Sequence, residues 1–371
     1  SKECDVKSLV DQQLAWRTAV RILQLFQDYR SAFRSITSQA RRRFESADWP
    51  QAEAASIDRI KLYSHLVDIA VVDCGGRVIL GYGDTERTVF PRSAMKPLQA
   101  IALIEELQNK GLEADLSDEL ICVTCASHNG QPAHLNAVGE LLSVFGIAHD
   151  YLACGAHWSL DQVSLIEQVR SVKEPSRLHN NCSGKHAGML ILTHLMNAPL
   201  VGYHRLDHPA QQRILGCLEA MTGCDLMQYP AGIDGCGAPA ISGPLGNWAR
   251  GFALFAGDKT LPEARYHACQ RLAHSIAAAP HLIAGDRRLC TDVNYALGPS
   301  VTVKVGAEGV YAGAFHELGL GLMLKVRDGA KRAAEQALLH VIKTLGINLP
   351  AKLASSFCTS LKNWSGEEIG D

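Results

Sequence analysis

An antiparallel sheet covered by helices, α+β in arrangement, is the fold class that this chain of 371 residues predicts. Three features carry it. Apolar runs on either side of the Cys74-Gly75-Gly76 turn read as a hairpin, residues 66–73 against 77–82. Near the C-terminus three further apolar runs, 300–306, 309–315 and 320–326, are separated by short turns and read as a meander. Between hairpin and meander, helical spacing of apolar residues recurs over 133–145, 160–170, 184–196, 211–222 and 262–279, and a helix over 330–345 is expected to pack on the meander.

Taken in order, the chain divides near residue 64. In residues 1–63, Leu9, Val10, Leu14, Val20, Leu23, Leu25, Phe26, Tyr29, Phe33 and Ile36 recur at helix-like intervals, and Arg41, Arg42 and Arg43 suit a helix C-terminus. Ser46, Asp48 and Pro50 then resemble a cap and first-turn proline opening a second helix. A helical hairpin over 1–63 and a separate domain over 64–371 are therefore expected. In that domain Leu98, Ala100, Ile101, Ile104 and Leu107 predict a buried helix with Ser93 at its start, where Pro97 is best tolerated. The run 120–126 reads as a strand leading to Ser127.

Composition excludes several classes. A net charge of −2 offers no electrostatic case for nucleic acid. The longest apolar runs, such as 318–324, are too short to span a membrane. No basic lead runs into an apolar stretch at Ser1, so cytoplasmic residence is the expectation. The twelve cysteines are scattered, and reduced thiols are the better reading, Cys122 and Cys125 included.

Chemistry concentrates in three strings, Ser93-Ala94-Met95-Lys96, Ser127-His128-Asn129 and Lys304-Val305-Gly306. S-x-x-K, S-x-N and K-x-G in that order mark serine hydrolases whose base is a lysine. Their need is physical: a hydroxyl attacks only when an uncharged amine nearby takes its proton, and crowded lysines supply one. Three residues apart on a helix, Ser93 and Lys96 share a face. Taken alone, S-x-x-K also describes a helix-capping serine and a solvated lysine. A second constellation joins Cys182, Lys185 and Cys236. Two thiolates, one nitrogen and a water would make a tetrahedral zinc site with an open position; alternatively Cys182 and Cys236 are small buried thiols and Lys185 holds a carboxylate.

These strings sit within others: FPRSAMKP at 90–97, CASH at 125–128, CGAH at 154–157, NCSGKH at 181–186, DHP at 207–209, DGC at 234–236, and Asn363-Trp364 with Gly366. From about residue 64 onward the chain resembles the rhizobial-type, serine-lysine L-asparaginases, a family whose fold is similar to that of β-lactamases and glutaminases. The resemblance implies Ser93 as nucleophile beside Lys96, Ser127 paired with Lys304, and hydrolysis of asparagine through a serine acyl-enzyme, with glutamine as a weaker substrate. It also implies Cys182, Lys185 and Cys236 as zinc ligands, and a homodimer. Arg92, His128, His186, Asp234 and Arg288 are expected to line the substrate pocket. Two alternatives stand beside this: a penicillin-recognising serine hydrolase, and an idle binding protein that works through its N-terminal helices. Upstream of residue 64 the family pattern fails. There the segments 43–49 and 58–63 resemble the N-terminal helical part of isocitrate dehydrogenase kinase/phosphatase, without any of that enzyme's nucleotide-binding residues.

Overall fold

Strand β1 (Val67–Asp73) is buried at its five central positions, as its run of β-branched residues requires. It turns back at Asp73, whose Oδ1 accepts from the Arg77 amide at 2.9 Å, into the exposed edge strand β2 (Val78–Tyr82). The structure, a computed structural model, describes residues 65–351, 353 and 361–370. The helical hairpin expected over 1–63 lies outside the described residues.

Short strands β3 (Thr88–Val89), β4 (Ala231–Ile233), β5 (Pro239–Ile241) and β6 (Gly243–Pro244) form two small ladders, β3 with β6 and β4 with β5. The meander forms in full as β7 (Val301–Gly306), β8 (Val310–Phe315) and β9 (Leu320–Val326). Together with the hairpin it makes one antiparallel sheet in the order β2-β1-β9-β8-β7. The expected α+β class is what the structure shows.

Ten helices flank the sheet among the described residues: α1 (Lys96–Lys110), α2 (Asp118–Thr124), α3 (Pro132–Val144), α4 (Gln162–Ser171), α5 (Ser183–Leu195), α6 (Pro209–Thr222), α7 (Leu245–Phe255), α8 (Glu263–Ala278), α9 (Leu289–Leu297) and α10 (Lys331–Thr344). Helix α7 lies on β1, β8 and β9, and α10 on β8 and β9, so β8 is buried at every position. Contact there is close: a Cβ on Gly321 of β9 would lie 2.0 Å from the Ala249 carbonyl of α7. Helix α1 is central, packed by α5, α6 and α8, and it stops at Gly111, whose φ of 69° closes the helix in the left-handed conformation. Its buried Glu105 is gripped by Arg213 of α6 and Arg265 of α8, the latter at 2.7 Å.

Two differences from the sequence reading have local causes. Residues 120–126 were expected as a strand, but Asp118–Thr124 is helix α2: Ser117 caps it by accepting from the Leu120 amide at 3.4 Å, and Asp118 and Glu119 sit in the positive first turn. A short apolar run does not distinguish a buried strand from a buried helix, and here packing against α3, α5 and α8 decided it. Helices α7 and α9 were absent from the expectation.

Candidate active site

Ser127 lies just past α2, in an extended segment tied on both sides. Its amide donates to the Ile283 carbonyl at 2.9 Å, His128 to Asn181 at 3.1 Å, and Asn129 to Ala284 at 2.9 Å. Two lysines converge on its side chain. Lys96, in the first turn of α1, places Nζ 2.9 Å from Ser127 Oγ, and Lys304 on edge strand β7 places Nζ 2.8 Å from the same oxygen. Both lysines are buried, Lys96 at 1% and Lys304 at 0% exposure.

Their surroundings separate the two. Lys96 Nζ also reaches the Ala126 carbonyl at 2.5 Å and Cys182 Sγ at 3.2 Å, which engages all three donors of an ammonium. Lys304 has the Val305 carbonyl at 2.9 Å as its other partner. Burial, then the charge of Lys96, brings Lys304 down to about 7. The surroundings of Lys304 thus favour its neutral amine.

Ser93 stands in the 3-10 turn Arg92–Met95 that leads into α1, half-buried. Its hydroxyl makes no hydrogen bond to Lys96 among the described residues; Lys96 bonds Ser127 instead. Ser93 and Ser127 face one cleft of about 360 Å³, with His128, Asn181, Arg288 and Glu308 in its walls. The turn carrying Ser93 is pressed against β7: a Cβ on Gly306 would lie 2.3 Å from the Pro91 carbonyl and 3.2 Å from the Ala94 amide nitrogen. Arg92, just before the serine, adopts a φ of 53°, a left-handed conformation that a non-glycine residue takes at a cost and that clusters at functional sites.

Behind Lys96 lies the sulfur cluster. Cys182, at the start of α5, sits beside Cys236, and Lys185 one turn along α5 donates to Cys236 Sγ at 3.0 Å. A hydrogen bond from Cys236 and the positive charges of Lys96 and Lys185 hold the Cys182 thiol well below its ordinary range despite burial. The Cys236 thiol rises in turn, chiefly because it donates to Cys182. Burial works against the Lys185 ammonium, yet the two sulfurs raise it above its usual value. No group of three His, Cys, Asp or Glu side chains suits a metal among the described residues; the set closes only when the Lys185 amine is counted. Two sulfurs and an amine in mutual contact, one sulfur already favoured as thiolate, fit a borderline-soft divalent ion once the amine gives up its proton.

The remaining expected pocket residues divide. His128 reaches the cleft: its Nδ1 accepts from the Gly130 amide at 3.1 Å, so Nε2 donates to Ser183 Oγ at 2.9 Å, and burial keeps the ring neutral. Arg288 reaches it too, donating to Asn129 Oδ1 at 2.7 Å. Arg92 and Asp234 instead grip each other at 2.7 Å, and Arg92 opens onto a neighbouring depression. His186 is fully buried on Tyr203, 2.5 Å from its hydroxyl, and lines no part of the cleft. Glu308 and the Asp161–Arg287 pair were not expected, since charged residues in turns and at helix starts carry no sequence signal of what they face; Asn181 lay in the NCSGKH string but was not assigned to the cleft.

A lysine-served serine facing a cleft defines a hydrolase-like site, and the comparisons name the family. The model of the L-asparaginase II family matches residues 60–371. The chain belongs to that family and, with it, to the hydrolases that act on amides. The regulatory-domain model of isocitrate dehydrogenase kinase/phosphatase matches residues 19–91. Among curated proteins, the isocitrate dehydrogenase kinase/phosphatase of Xanthomonas campestris pv. campestris is 44% identical over 46 residues, 12% of this chain and 8% of that protein. The chain therefore spans under a tenth of that relative. Among solved structures, Mglu in its tris and glutamate form is 14% identical with a TM-score of 0.42, covering 82% of this chain and 63% of that one. A β-lactamase, Mb2281c from Mycobacterium bovis, is 15% identical with a TM-score of 0.36, covering 74% and 94%. No helix among the described residues is long and apolar enough to cross a membrane.

Proposed function

We propose that this protein hydrolyses the side-chain amide of asparagine to aspartate and ammonia through a serine acyl-enzyme, with Lys304 as the base. The observation that carries this reading is the buried contact of Ser127 Oγ with two lysines, one of them down to about 7. Ser93 attacks the amide carbon and passes its proton to Ser127 Oγ, which hands its own to neutral Lys304. Lys96, with its donors engaged, holds Ser127 in position. The oxyanion is met by the backbone amide of Ser93 at the turn that begins α1, the Ala94 amide being bonded to the Pro91 carbonyl; one such donor is usually worth about 3 kcal/mol. The Ser127 amide is already bonded to Ile283 and does not contribute. Lys304, now protonated, returns the proton to the departing ammonia, and the same relay activates water against the acyl-enzyme.

Cys182, Lys185 and Cys236 hold one zinc ion in this proposal. When bound it supplies Lewis-acid polarisation or a fixed charge for orienting a ligand. A second reading makes Ser127 itself the nucleophile; its favouring observation is that both lysines bond Ser127 and not Ser93.

A coupled ammonia-release assay tests these ideas. With asparagine the wild type should release ammonia and Ser93→Ala should not, whereas retention by Ser93→Ala and loss by Ser127→Ala moves the nucleophile to Ser127. Ammonia from neither asparagine nor glutamine, with hydrolysis of a chromogenic β-lactam, replaces the asparaginase reading by the penicillin-recognising one. Silence on every substrate leaves the idle binding protein.

A further inference from the structure

The turn between β7 and β8 carries Glu308 at a φ of 61°, a conformation that this residue type adopts only under constraint. The constraint is visible: the Glu308 carbonyl accepts from Lys325 Nζ at 2.5 Å, and Gly329 leaves room for the carboxylate, since a Cβ there would lie 2.9 Å from Glu308 Oε2. The side chain is exposed and lines both the Ser93–Ser127 cleft and the neighbouring depression; it makes no hydrogen bond or ion pair among the described residues, although Lys325 and Arg92 stand near enough to feel its charge. The other acid of the cleft, Asp161, is already bound by Arg287 at 2.5 Å. The cations divide in the same way. Lys331 lies 3.5 Å from Glu335, while Arg288 donates to the neutral amide of Asn129 and has no carboxylate within ion-pair distance among the described residues. The cleft thus presents one anion and one cation that stand outside any ion pair among the described residues, a pattern complementary to a zwitterion.

We infer that Glu308 is the residue that recognises the α-ammonium of the substrate and restricts this cleft to free α-amino acids. The inference deepens the proposed amide hydrolysis and rests on the same cleft. Glu308 stands at the rim, holds the ammonium by a charge-assisted hydrogen bond, and leaves Arg288 to meet the α-carboxylate. A ligand that lacks the amine, or carries it acylated, forgoes that contact and leaves the negative charge of the rim unmatched.

Calorimetric titration of the full chain with aspartate and with succinate, which differ by the ammonium alone, tests this in wild type and Glu308→Gln. Wild type should prefer aspartate, and the variant should lose about fivefold in aspartate affinity while binding succinate at least as well, the scale of one solvent-accessible ion pair. An aspartate-to-succinate ratio unchanged by the substitution overturns the assignment. Equal weakening for both acids overturns it as well, since that is the mark of a structural role, and so does binding of neither. Ammonia release from asparagine by the wild type, measured alongside, separates the two claims. Turnover with an unchanged ratio refutes Glu308 alone, whereas a Glu308-dependent ratio without turnover keeps the recognition site and refutes the hydrolysis.

Discussion

Removing the charge of Lys96 should move the pH dependence of the reaction in a direction that the buried lysine pair dictates. Lys304 lies near 7 because it is buried and because Lys96 stands beside it. At pH 7 about half of such a group is the neutral amine that catalysis needs, against roughly one in three thousand for an unperturbed lysine. Both nitrogens lie within 2.9 Å of one oxygen, hence within about 6 Å of each other. At an effective dielectric near 20 that separation is worth about 2–3 kcal/mol of repulsion, or roughly two pKa units. Lys96→Met keeps the length and burial of the side chain and deletes the charge, so Lys304 should rise from about 7 while staying below an ordinary lysine, because burial, the larger cause, remains. The ascending limb of kcat/KM for asparagine, near pH 7 in wild type, should then rise by one to two units, with activity that is lost at pH 7 partly recovered by pH 9. Measurement of kcat/KM from pH 5 to 10 on both proteins decides the matter. A limb that stays near 7 in Lys96→Met, or moves to lower pH, refutes Lys304 as the base.

Gly306→Ala drives a methyl group into the Pro91 carbonyl behind Ser93, so we expect at least a tenfold loss in kcat/KM and about 1–3 kcal/mol in stability to denaturant; an unaffected rate means that the turn need not press on β7. Metal analysis should find about one zinc per chain in the wild type and little in Cys182→Ser, because a serine hydroxyl is a poor ligand for this ion. Equal content in both proteins removes Cys182 from the ligand set. Glu105→Gln leaves Arg213 and Arg265 facing a neutral amide in the interior and should cost about 3 kcal/mol of stability without altering KM. The carboxyl of Glu105 titrates lower in the folded chain than in the unfolded one, because the two guanidinium groups outweigh its burial. Its stabilisation is therefore present above the ordinary carboxylate range and lost as pH falls through the folded value.

Much of the fold was legible before any coordinates. The hairpin, the meander and seven helices carry one-dimensional signals: runs of β-branched residues, glycine turns and helical spacing. Residues 120–126 misled because six apolar letters fit either a buried strand or a buried helix, and the cap at Ser117 with its acidic first turn is the weaker signal that settles on helix. Of the site, the three serine and lysine strings could be named from motif order and spacing, and the sulfur cluster from ligand chemistry together with the family resemblance. Glu308 could not, because an exposed acid in a turn resembles any other until the opposite wall of a cleft is known.

Sequence alone therefore determined which groups are available: two serines, two lysines and a cysteine-lysine set, on elements whose types its periodicity also specifies. It pointed to Ser93 and Lys96 as partners because local spacing is what a sequence encodes. Only the tertiary structure decided that Lys96 bonds Ser127, since that pairing depends on how α1, the segment after α2 and the edge strand β7 meet, with residues 96, 127 and 304 far apart along the chain. Burial at that meeting point, a property of the packed whole, is also what brings Lys304 down toward neutral pH.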